Sequence, residues 1–486
     1  MKVMKFGGSS VADADRIRTV AGLVREAARA GRVVVVLSAL KGITDLLVAA
    51  ARAAESGSDD FRTALDTLRA RHLEAVRGLF APVDQASVIT PLTLMANELE
   101  EVLHGVELLR ECTHRTMDLA MSFGERMSCA IFTALLAALG ERAVYVDARE
   151  LIVTDERFGS GVVDFAASYA RIASRLGAEP GIPVVPGFIA ATPKGVTTTL
   201  GRNGSDYTAS IVGAGLGADT IEIWTDVDGV LSADPRVVPG AFVIPRVTFE
   251  EAMELSYFGA KVIHPSTMIP AVEKRIPIVI KNTLNPSAPG TLIGNGGQRT
   301  EHPITGIASI EGISLLNIEG GGMIGIPGIA ARIFSALARE GVNIIMISQA
   351  SSEHTISLVF KAGEADRALG ALRGELALEL ETGRLEELEL VRDLVVISVI
   401  GENMRGTPGI AGRIFSALGA ARVNVLVIAQ GSSERNISFV VAGGQHVAAV
   451  RTIHDAFLGR PSDIHVSADL GPSMASGQGQ PGRFPR

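Results

Sequence analysis

The sequence has 486 residues, of which 47% are hydrophobic and only 5% aromatic, and its formal net charge is −8. This length predicts about two to four domains with cores of small aliphatic side chains. The acidic balance argues against nucleic-acid partners, which usually require a basic face. No apolar run approaches the roughly 18 residues of a membrane span, and glycines interrupt the N-terminus too early for a signal peptide. We therefore expect a soluble, cytoplasmic protein with no membrane contact.

Short β-branched runs alternate with helical patterns over the first 295 residues. Residues 3–6 and 32–37 are typical of strands buried on both faces, and residues 16–30 between them have a helical pattern. This order predicts parallel pairing with a right-handed crossover. Residues 44–140 are mostly helical in pattern, and further strands are predicted at 143–146, 183–186, 220–224 and 276–280. The pattern predicts a three-layer α/β domain with a mainly parallel central sheet.

Two short motifs in the first 130 residues carry charge. The first predicted strand leads into KFGGSS at residues 5–10, where glycines let backbone amides approach a phosphate and Lys5 can supply positive charge. It is not a P-loop, and such a lysine is more often structural. The second motif, MSFGERM at residues 121–127, places a Glu–Arg pair after a small turn, as at a helix N-terminus. The two cysteines, Cys112 and Cys129, lack metal-ligand spacing, and free thiols are expected.

Residues 200–236 hold the most informative stretch of the chain. In GRNGSD, residues 201–206, two glycines flank an arginine, a serine and an aspartate before an apolar helical run, a pattern that holds an anion at a helix start. A second polar turn, Thr225-Asp226, follows the predicted strand 220–224. The two turns predict a site for a phosphorylated ligand beside a small charged one. The nearby GAGLGA at 213–218 imitates a dinucleotide motif, but it lies inside a predicted helix, so we interpret it as helix packing.

The last third of the chain contains an internal repeat. PGIAARIFSAL, beginning at residue 327, recurs as PGIAGRIFSAL 81 residues later, and the match continues without gaps for about thirty residues. Each unit is predicted to contain a strand, a Pro-Gly turn, a helix, a strand, a tight turn and a strand. Residues 285–303, rich in Asn, Pro, Gly and Thr, predict a domain boundary. Residues 471–486, rich in Gly, Ser, Pro and Gln, predict a disordered tail.

Taken together, these segments resemble the aspartate kinases of the amino-acid kinase superfamily. The resemblance covers roughly residues 2–465 and rests on several ordered motifs, at residues 5–10, 37–44, 123–125, 200–207, 223–236, 254–265 and 281–283. It implies an amino-acid kinase catalytic domain at 1–295, ferredoxin-like ACT domains at 304–390 and 391–470, and the tail at 471–486. It also implies the reaction, in which ATP phosphorylates the side-chain carboxylate of L-aspartate at the start of lysine, threonine and methionine biosynthesis.

The resemblance implies roles for individual residues. Lys5 would stabilise the transferring phosphoryl group, and Asp206 would orient Lys5 or the substrate amine. Arg202 has the planar fork to clamp the α-carboxylate of aspartate, and Glu125 would take its ammonium group. The further implied aspartate contacts are Ser38, Thr44 and Ser205. The implied ATP contacts are Lys5, Gly7, Gly8, Ser9, Thr225, Asp226, Leu231, Arg236 and Lys261. Mg²⁺ would be carried by the phosphates, without a dedicated protein metal site.

Two positions depart from the family pattern. Asn203 stands where many members have Gly, and Leu231 stands where many carry Tyr. The asparagine also occurs in the bifunctional, threonine-sensitive branch, so we expect it to be harmless. Leu231 puts the contact with the nucleotide base in doubt.

The resemblance also implies feedback regulation, because ACT domains generally bind amino acids at paired interfaces. Gln349 and Gln430 occupy equivalent repeat positions, as do Asn343 and Asn424, and these four residues are the candidate effector contacts. A glutamine there is equally typical of a loop amide without a ligand. We favour threonine over lysine as the effector, and we expect a homodimer or a larger homo-oligomer. Because no dehydrogenase domain fits within the 486 residues, we expect a monofunctional enzyme.

Two other functions remain open at this point. Another amino-acid kinase, of the glutamate kinase type, is disfavoured by the Arg202 segment and the ACT pair. A non-catalytic amino-acid sensor would require a ruined active site, whereas Lys5, Glu125, Arg202 and Asp206 are all present.

Overall fold

The computed structural model describes residues 1–259, 263–295, 302–321, 328–349, 354–386 and 388–459. Its strands are β1 (Lys2–Phe6), β2 (Val33–Leu37), β3 (Ala143–Tyr145), β4 (Ile182–Pro186), β5 (Ile189–Ala191), β6 (Thr197–Thr199), β7 (Thr220–Thr225), β8 (Arg246–Val247), β9 (Ile278–Asn282), β10 (Thr291–Ile293), β11 (Gly306–Glu319), β12 (Ile344–Gln349), β13 (Thr355–Lys361), β14 (Glu389–Ile400), β15 (Val427–Gln430) and β16 (Asn436–Ala442). Its helices are α1 (Ala14–Ala30), α2 (Ile43–Ser56), α3 (Asp60–Leu79), α4 (Pro82–Leu109), α5 (His114–Ala138), α6 (Ala148–Leu151), α7 (Phe165–Leu176), α8 (Gly204–Leu216), α9 (Phe249–Tyr257), α10 (Pro265–Lys274), α11 (Ile329–Arg339), α12 (Ala365–Glu375), α13 (Ala377–Glu381), α14 (Ile410–Ala420) and α15 (His446–Leu458). The predicted tail at 471–486 lies outside the described residues.

An eight-stranded sheet in the order β3-β4-β2-β1-β7-β9-β10-β8 forms the centre of the N-terminal part. Its neighbouring strands are parallel, except that β9 and β10 are antiparallel. Alternate residues of β1 enter two separate cores, with Val3 in one and Met4 in the other. Helices α1 to α5 pack on the second core and α6 to α10 on the first. The predicted three-layer architecture with a mainly parallel sheet is therefore confirmed.

Helix α5 corrects one expectation from the sequence. The motif at residues 121–127 does not follow a turn, because α5 begins at His114 and runs through it to Ala138. Arg126 does not pair with its neighbour Glu125 but donates to Glu98 over 3.2 Å. By length and composition alone α5 could cross a membrane, but 67% of its apolar window is buried inside the protein, as in the core helix of a globular domain. Both cysteines are free and buried, as expected.

The two repeats share one six-stranded sheet in the order β12-β13-β11-β14-β16-β15. The long strands β11 and β14, one from each repeat, pair antiparallel at its centre. Each repeat contributes a strand, a helix, two strands and a second helix, α12 or α15, which the sequence pattern did not predict. The two edges of the sheet approach each other, since the Ser348 hydroxyl donates to the Ile428 carbonyl over 3.1 Å.

A buried seam joins the two repeats to the N-terminal part. The Glu251 carboxylate on α9 accepts hydrogen bonds from the Thr305 hydroxyl at 2.5 Å and from the backbone N–H of Glu402 at 2.8 Å. The Ser232 hydroxyl and His454 Nε2 on α15 are 3.0 Å apart. Val237 and Val238 lie in one apolar cluster with side chains of the second repeat. Polar bonds and apolar packing together fix the repeats against the segment that follows β7.

Candidate active site

A cavity of about 600 Å³, here called the polar cavity, opens where strands β1 and β2 end. Three adjacent parallel strands, β2, β1 and β7, end at this edge of the sheet. Open α/β sheets bind ligands at the carboxyl ends of their strands. The loop after β1 supplies Gly7 and Gly8, the loop after β2 supplies Ser38, the first turn of α2 supplies Thr44, and the start of α8 supplies Ser205 and Asp206.

Lys5 and Asp206 form an ion pair inside the polar cavity. Lys5 Nζ lies 2.6 Å from Asp206 Oδ1, and the two side chains are only 10% and 8% exposed. Lys5 is on β1, and Asp206 is in the first turn of α8. A buried ammonium group needs such a partner to stay charged. The pair therefore fixes the position of the Lys5 ammonium group beside the glycines of the β1 loop.

Glu125 reaches the same cavity from the middle of α5 and is fully buried there. Burial raises the pKa of Glu125 to about 8, against the weaker opposite effect of the backbone N–H of Ala39. Its Oε2 atom accepts no hydrogen bond from the described residues. An unpartnered buried carboxylate oxygen that faces a cavity is well suited to accept hydrogen bonds from a cationic ligand group.

The loop before α8 presents Arg202 to the cavity. The Arg202 side chain is exposed and makes no ion pair or hydrogen bond within the described ranges, so its guanidinium group is available to an anion. The next residue, Asn203, has φ 55° and ψ 29°, the left-handed conformation that Asn tolerates better than most residues. This explains how Asn can replace Gly at that position. Ser205 is buried at the start of α8, where backbone N–H groups attract anions.

Two residues that shape the polar cavity were missed by the sequence analysis. Asp118 is fully buried on α5 and accepts hydrogen bonds from the backbone N–H groups of Gly159 at 2.8 Å and Thr199 at 3.0 Å. It fixes the loop that carries Gly159 to the cavity wall. Burial raises the pKa of Asp118, and these donors oppose that rise. Phe188, with a positive φ of 69°, lines the cavity beside α8. The spacing of Asp118 and Glu125, seven residues apart on one helix face, could have indicated the first residue.

A second cavity of about 290 Å³, here called the apolar pocket, lies beyond the end of β7. Thr225 and Asp226 line it, and the Thr225 hydroxyl donates to Asp226 Oδ1 over 3.3 Å. Arg236 is exposed at its rim, where Asp234 orients it through hydrogen bonds to Nε and Nη2. The pocket adjoins the polar cavity, because the Gly7 N–H donates to the carbonyl of Trp224, the residue before Thr225.

A third cavity of about 120 Å³, here called the repeat pocket, lies in the second repeat. Gln430, at the end of β15, lines it together with Thr407 and Ile410. Asn424 is not among the described residues that line it. Instead, the backbone N–H groups of the two asparagines donate to side-chain oxygens at equivalent repeat positions. Asn343 donates to Glu364 over 3.5 Å, and Asn424 donates to Gln445 over 3.2 Å. Gln349 is exposed at the end of β12. The residues that follow it, 350–353, lie outside the described ranges.

The structure distributes the predicted site residues over these cavities. The polar cavity is lined by Lys5, Gly7, Gly8, Ser38, Thr44, Glu125, Arg202, Ser205 and Asp206. The apolar pocket is lined by Thr225, Asp226, Leu231 and Arg236. Ser9 lines neither cavity, and its carbonyl accepts a hydrogen bond from Arg16. Lys261 lies outside the described residues. In the described part of the chain, no group of three or more His, Cys, Asp or Glu side chains is placed to hold a metal ion.

Comparison with known proteins gives two family matches. The profile of the amino acid kinase family matches residues 1–282, and that of the ACT domain matches 316–376 and 397–457. A chloroplastic bifunctional aspartokinase/homoserine dehydrogenase 2 of Arabidopsis thaliana is 37% identical over 94% of this chain, which spans about half (50%) of that relative's length. Chloroplastic aspartokinase 1 of the same plant is 36% identical over 96% of this chain and 82% of its own length.

Solved structures give the same result. Aspartokinase III of E. coli in complex with aspartate and ADP, in the R-state, is 31% identical with a TM-score of 0.79, and the match covers 94% of this chain and 100% of that one. The same enzyme in complex with lysine and aspartate, in the T-state, is 32% identical with a TM-score of 0.77, over 94% and 99% of the two chains. The similarity therefore extends across both the N-terminal part and the repeats.

Proposed function

The chain belongs to the aspartokinases of the amino acid kinase family, and on that premise we propose that it transfers the γ-phosphoryl group of ATP to the side-chain carboxylate of L-aspartate, giving 4-phospho-L-aspartate. One observation carries the proposal. The Lys5–Asp206 ion pair shares a single cavity with Glu125 and Arg202, and the apolar pocket opens beside it. A cavity that brings cationic Lys5 and Arg202 together with the buried acids Glu125 and Asp206 suits a zwitterionic dicarboxylate, and an adjoining apolar pocket suits a nucleotide base.

Aspartate would bind by its two α-substituents, leaving its side chain free to react. The Arg202 guanidinium would hold the α-carboxylate through two parallel hydrogen bonds. Glu125 would accept the α-ammonium group at its unpartnered Oε2 atom. Ser38, Thr44 and Ser205 would add hydrogen bonds from the cavity wall. This arrangement directs the side-chain carboxylate towards Lys5.

Phosphoryl transfer would depend on positioning and charge neutralisation, because the attacking carboxylate is already ionised at neutral pH and needs no general base. Lys5 would offset the repulsion between two anionic substrates and stabilise the transferring group. Asp206 would hold the Lys5 ammonium in place. Backbone amides of Gly7 and Gly8 would approach the phosphates, and Thr225, Asp226, Arg236 and Lys261 would contact ATP. Mg²⁺, carried by the phosphates, would neutralise part of their charge.

The repeats would act as a regulatory pair that binds an amino acid. The repeat pocket around Gln430 has the size for a small amino acid, and its polar and apolar lining suits a threonine side chain better than a long lysine chain. We propose threonine as the inhibitor, with the effector contacts at Gln349 and Gln430. The enzyme would work in the cytoplasm as a homodimer or larger homo-oligomer, at the first step of lysine, threonine and methionine biosynthesis.

A coupled assay of ADP formation tests the function. The chain should consume ATP with aspartate and show no comparable rate with glutamate, and millimolar threonine should lower the rate more than lysine or methionine. Gln430→Ala should relieve inhibition without changing the rate in the absence of effector. A preference for glutamate would identify a different amino-acid kinase. Effector binding without any turnover would identify a sensor, and inhibition by lysine alone would contradict the effector assignment.

A further inference from the structure

The apolar pocket has walls from two parts of the chain that are far apart in sequence. Thr225, Asp226 and Leu231 come from the segment after β7, whereas Ile307, Ala308 and Ser309 come from the first strand of the repeats. Val450, on the last helix of the second repeat, completes the lining. Ile307 and Val450 are buried and apolar and lie in one cluster, which is the chemistry that a flat purine ring requires of a wall.

The first repeat strand, β11, also contacts the backbone at Gly259. Gly259, which lines the apolar pocket, has φ 121°. A Cβ atom at Gly259 would lie 2.3 Å from the carbonyl oxygen of Ser309. No other residue fits there, so the backbone at 259 packs directly on β11. A displacement of β11 would therefore move both residues 307–309 of the pocket wall and the backbone at Gly259.

Helix α15 fixes β11 and the segment after β7 at the same time. The Ser309 hydroxyl lies 2.9 Å from His446 Nε2 at the start of α15. Arg451 Nε donates to the Val237 carbonyl over 2.7 Å, and His454 Nε2 lies 3.0 Å from the Ser232 hydroxyl. These contacts fix the distance between β11 and the segment after β7, which form the two walls of the apolar pocket. Val450 is on the same helix, between His446 and Arg451.

We propose that the regulatory repeats form part of the nucleotide-binding site, with β11 and α15 as the wall on which the adenine ring of ATP rests. The proposal depends on the proposed function only in taking the occupant of the apolar pocket to be a nucleotide. It gives the repeats a direct route to nucleotide affinity, because any movement of α15 changes the width of the pocket. Val450 is then a specificity-determining residue for ATP, although it lies in a regulatory repeat.

Val450→Phe tests the proposal by filling the pocket from the regulatory side. Its matched control is Val447→Phe, the same substitution one turn earlier on α15, where the side chain is 44% exposed and does not line the pocket. Binding of ADP with Mg²⁺ is measured by calorimetric titration of the full chain, and thermal unfolding checks the fold of each variant. Val450→Phe should weaken ADP binding at least fivefold and raise the KM for ATP equally, with kcat and the KM for aspartate within twofold. Val447→Phe should change none of these values.

The proposal would be overturned if Val450→Phe bound ADP as tightly as the wild-type protein. It would also be overturned if Val450→Phe and Val447→Phe weakened ADP binding equally, or if the wild-type protein did not bind ADP. If Val450→Phe does not fold, Ile307→Phe narrows the same pocket from β11 and is judged in the same way. A chain that binds ADP but does not phosphorylate aspartate would contradict the proposed function alone, because the titration needs no turnover.

Discussion

The polar cavity and the apolar pocket lie side by side, yet they are built on different principles. The described lining of the polar cavity comes from the N-terminal part, and its central charged groups, Lys5, Glu125 and Asp206, are buried, with Lys5 paired to Asp206. The charged residues described in the lining of the apolar pocket, Asp226, Asp234 and Arg236, are exposed or half-exposed, and the shape of the pocket depends on packing against β11 and α15. The charges of the polar cavity therefore depend on the N-terminal part, whereas the shape of the apolar pocket depends on the repeats, which are remote in sequence. The difference predicts that variants of the first site change chemistry or aspartate binding, and variants of the second change ATP binding.

Lys5→Ala should have the largest effect. It removes the positive charge near the transferring group, and kcat should fall by about 10²- to 10³-fold, the range for loss of one group that stabilises transition-state charge. ADP affinity should change little, because the apolar pocket is intact. Steady-state kinetics with both substrates measures the effect. Lys2→Ala is the control, since Lys2 is on the same strand but is 40% exposed and pairs with Glu222. A tenfold change in ADP affinity with kcat unchanged would contradict the assignment of Lys5 to phosphoryl transfer rather than to nucleotide binding.

Arg202→Ala should raise the KM for aspartate by about 10- to 100-fold, because a hydrogen bond to a charged group contributes about 1.5–3 kcal/mol. Arg202→Lys should recover only part of this, since an ammonium cannot form two parallel bonds. The KM for ATP should stay the same. Arg157→Ala, in a nearby loop where an exposed Arg157 pairs with Asp155, should change neither constant. A larger change in the KM for ATP than for aspartate would show that Arg202 belongs to the nucleotide instead.

The pH dependence of aspartate use should report on Glu125. Its pKa is raised to about 8 by burial, and only the ionised form attracts the substrate ammonium group. The kcat/KM for aspartate should therefore fall by up to about tenfold per pH unit below that pKa. Glu125→Gln should lower kcat/KM and remove this dependence, while the pH profile of ADP binding stays flat in both proteins. An unchanged profile in Glu125→Gln would assign the ionisation to another group.

The raised pKa of Glu125 should also make the stability of the folded protein depend on pH. The folded chain keeps the proton that the unfolded chain releases above the ordinary pKa of 4.5, so the folded state binds more protons between pH 4.5 and about 8. Stability must then fall as the pH rises through that window. The thermal unfolding temperature of Glu125→Gln, relative to the unchanged chain, should be higher at pH 8 than at pH 5. A constant difference across this range would show that Glu125 is ionised in the folded protein.

Leu231→Tyr should have the smallest effect on the kinetic constants, and it should strengthen ATP binding rather than weaken it. Leu231 is half-buried in the apolar pocket, and an aromatic ring there would add stacking area for the base. A contribution of about 0.5–1.5 kcal/mol predicts a KM for ATP lowered by about two- to twelvefold, with the constants for aspartate unchanged. Leu231→Met, which keeps the volume without a ring, is the control. A raised KM for ATP in Leu231→Tyr would mean that β11 leaves no room for the ring.

The sequence predicted the fold best where periodicity is local. The strands β1, β2 and β7, with their alternation between two cores, follow from short β-branched runs, and the repeat is visible from identity at a fixed spacing. The motif at 121–127 was misjudged because Gly124 and two polar neighbours imitate a turn. A Cβ atom at Gly124 would lie 2.9 Å from the Cβ of Ala39, so glycine serves helix packing there.

The site was predicted only in part, for a related reason. Resemblance supplied Lys5, Arg202 and the other motif residues, because their spacing along the chain is characteristic. Asp118 and Val450 have no such motif. Their roles arise from contacts with residues that are distant in sequence, which leave no periodic or compositional trace.

The shared sheet of the repeats limits how the chain can be divided. Strand β11 is paired on both sides only while β14 is present, and β14 comes from the other repeat. A fragment that stops before residue 389 would expose one edge of a 14-residue strand, together with the apolar side chains that face the second repeat. Such an edge is a template for pairing with other chains, so aggregation is the expected fate of the fragment. The duplicated halves are thus no longer separable modules, and neither half is expected to persist in solution without the other.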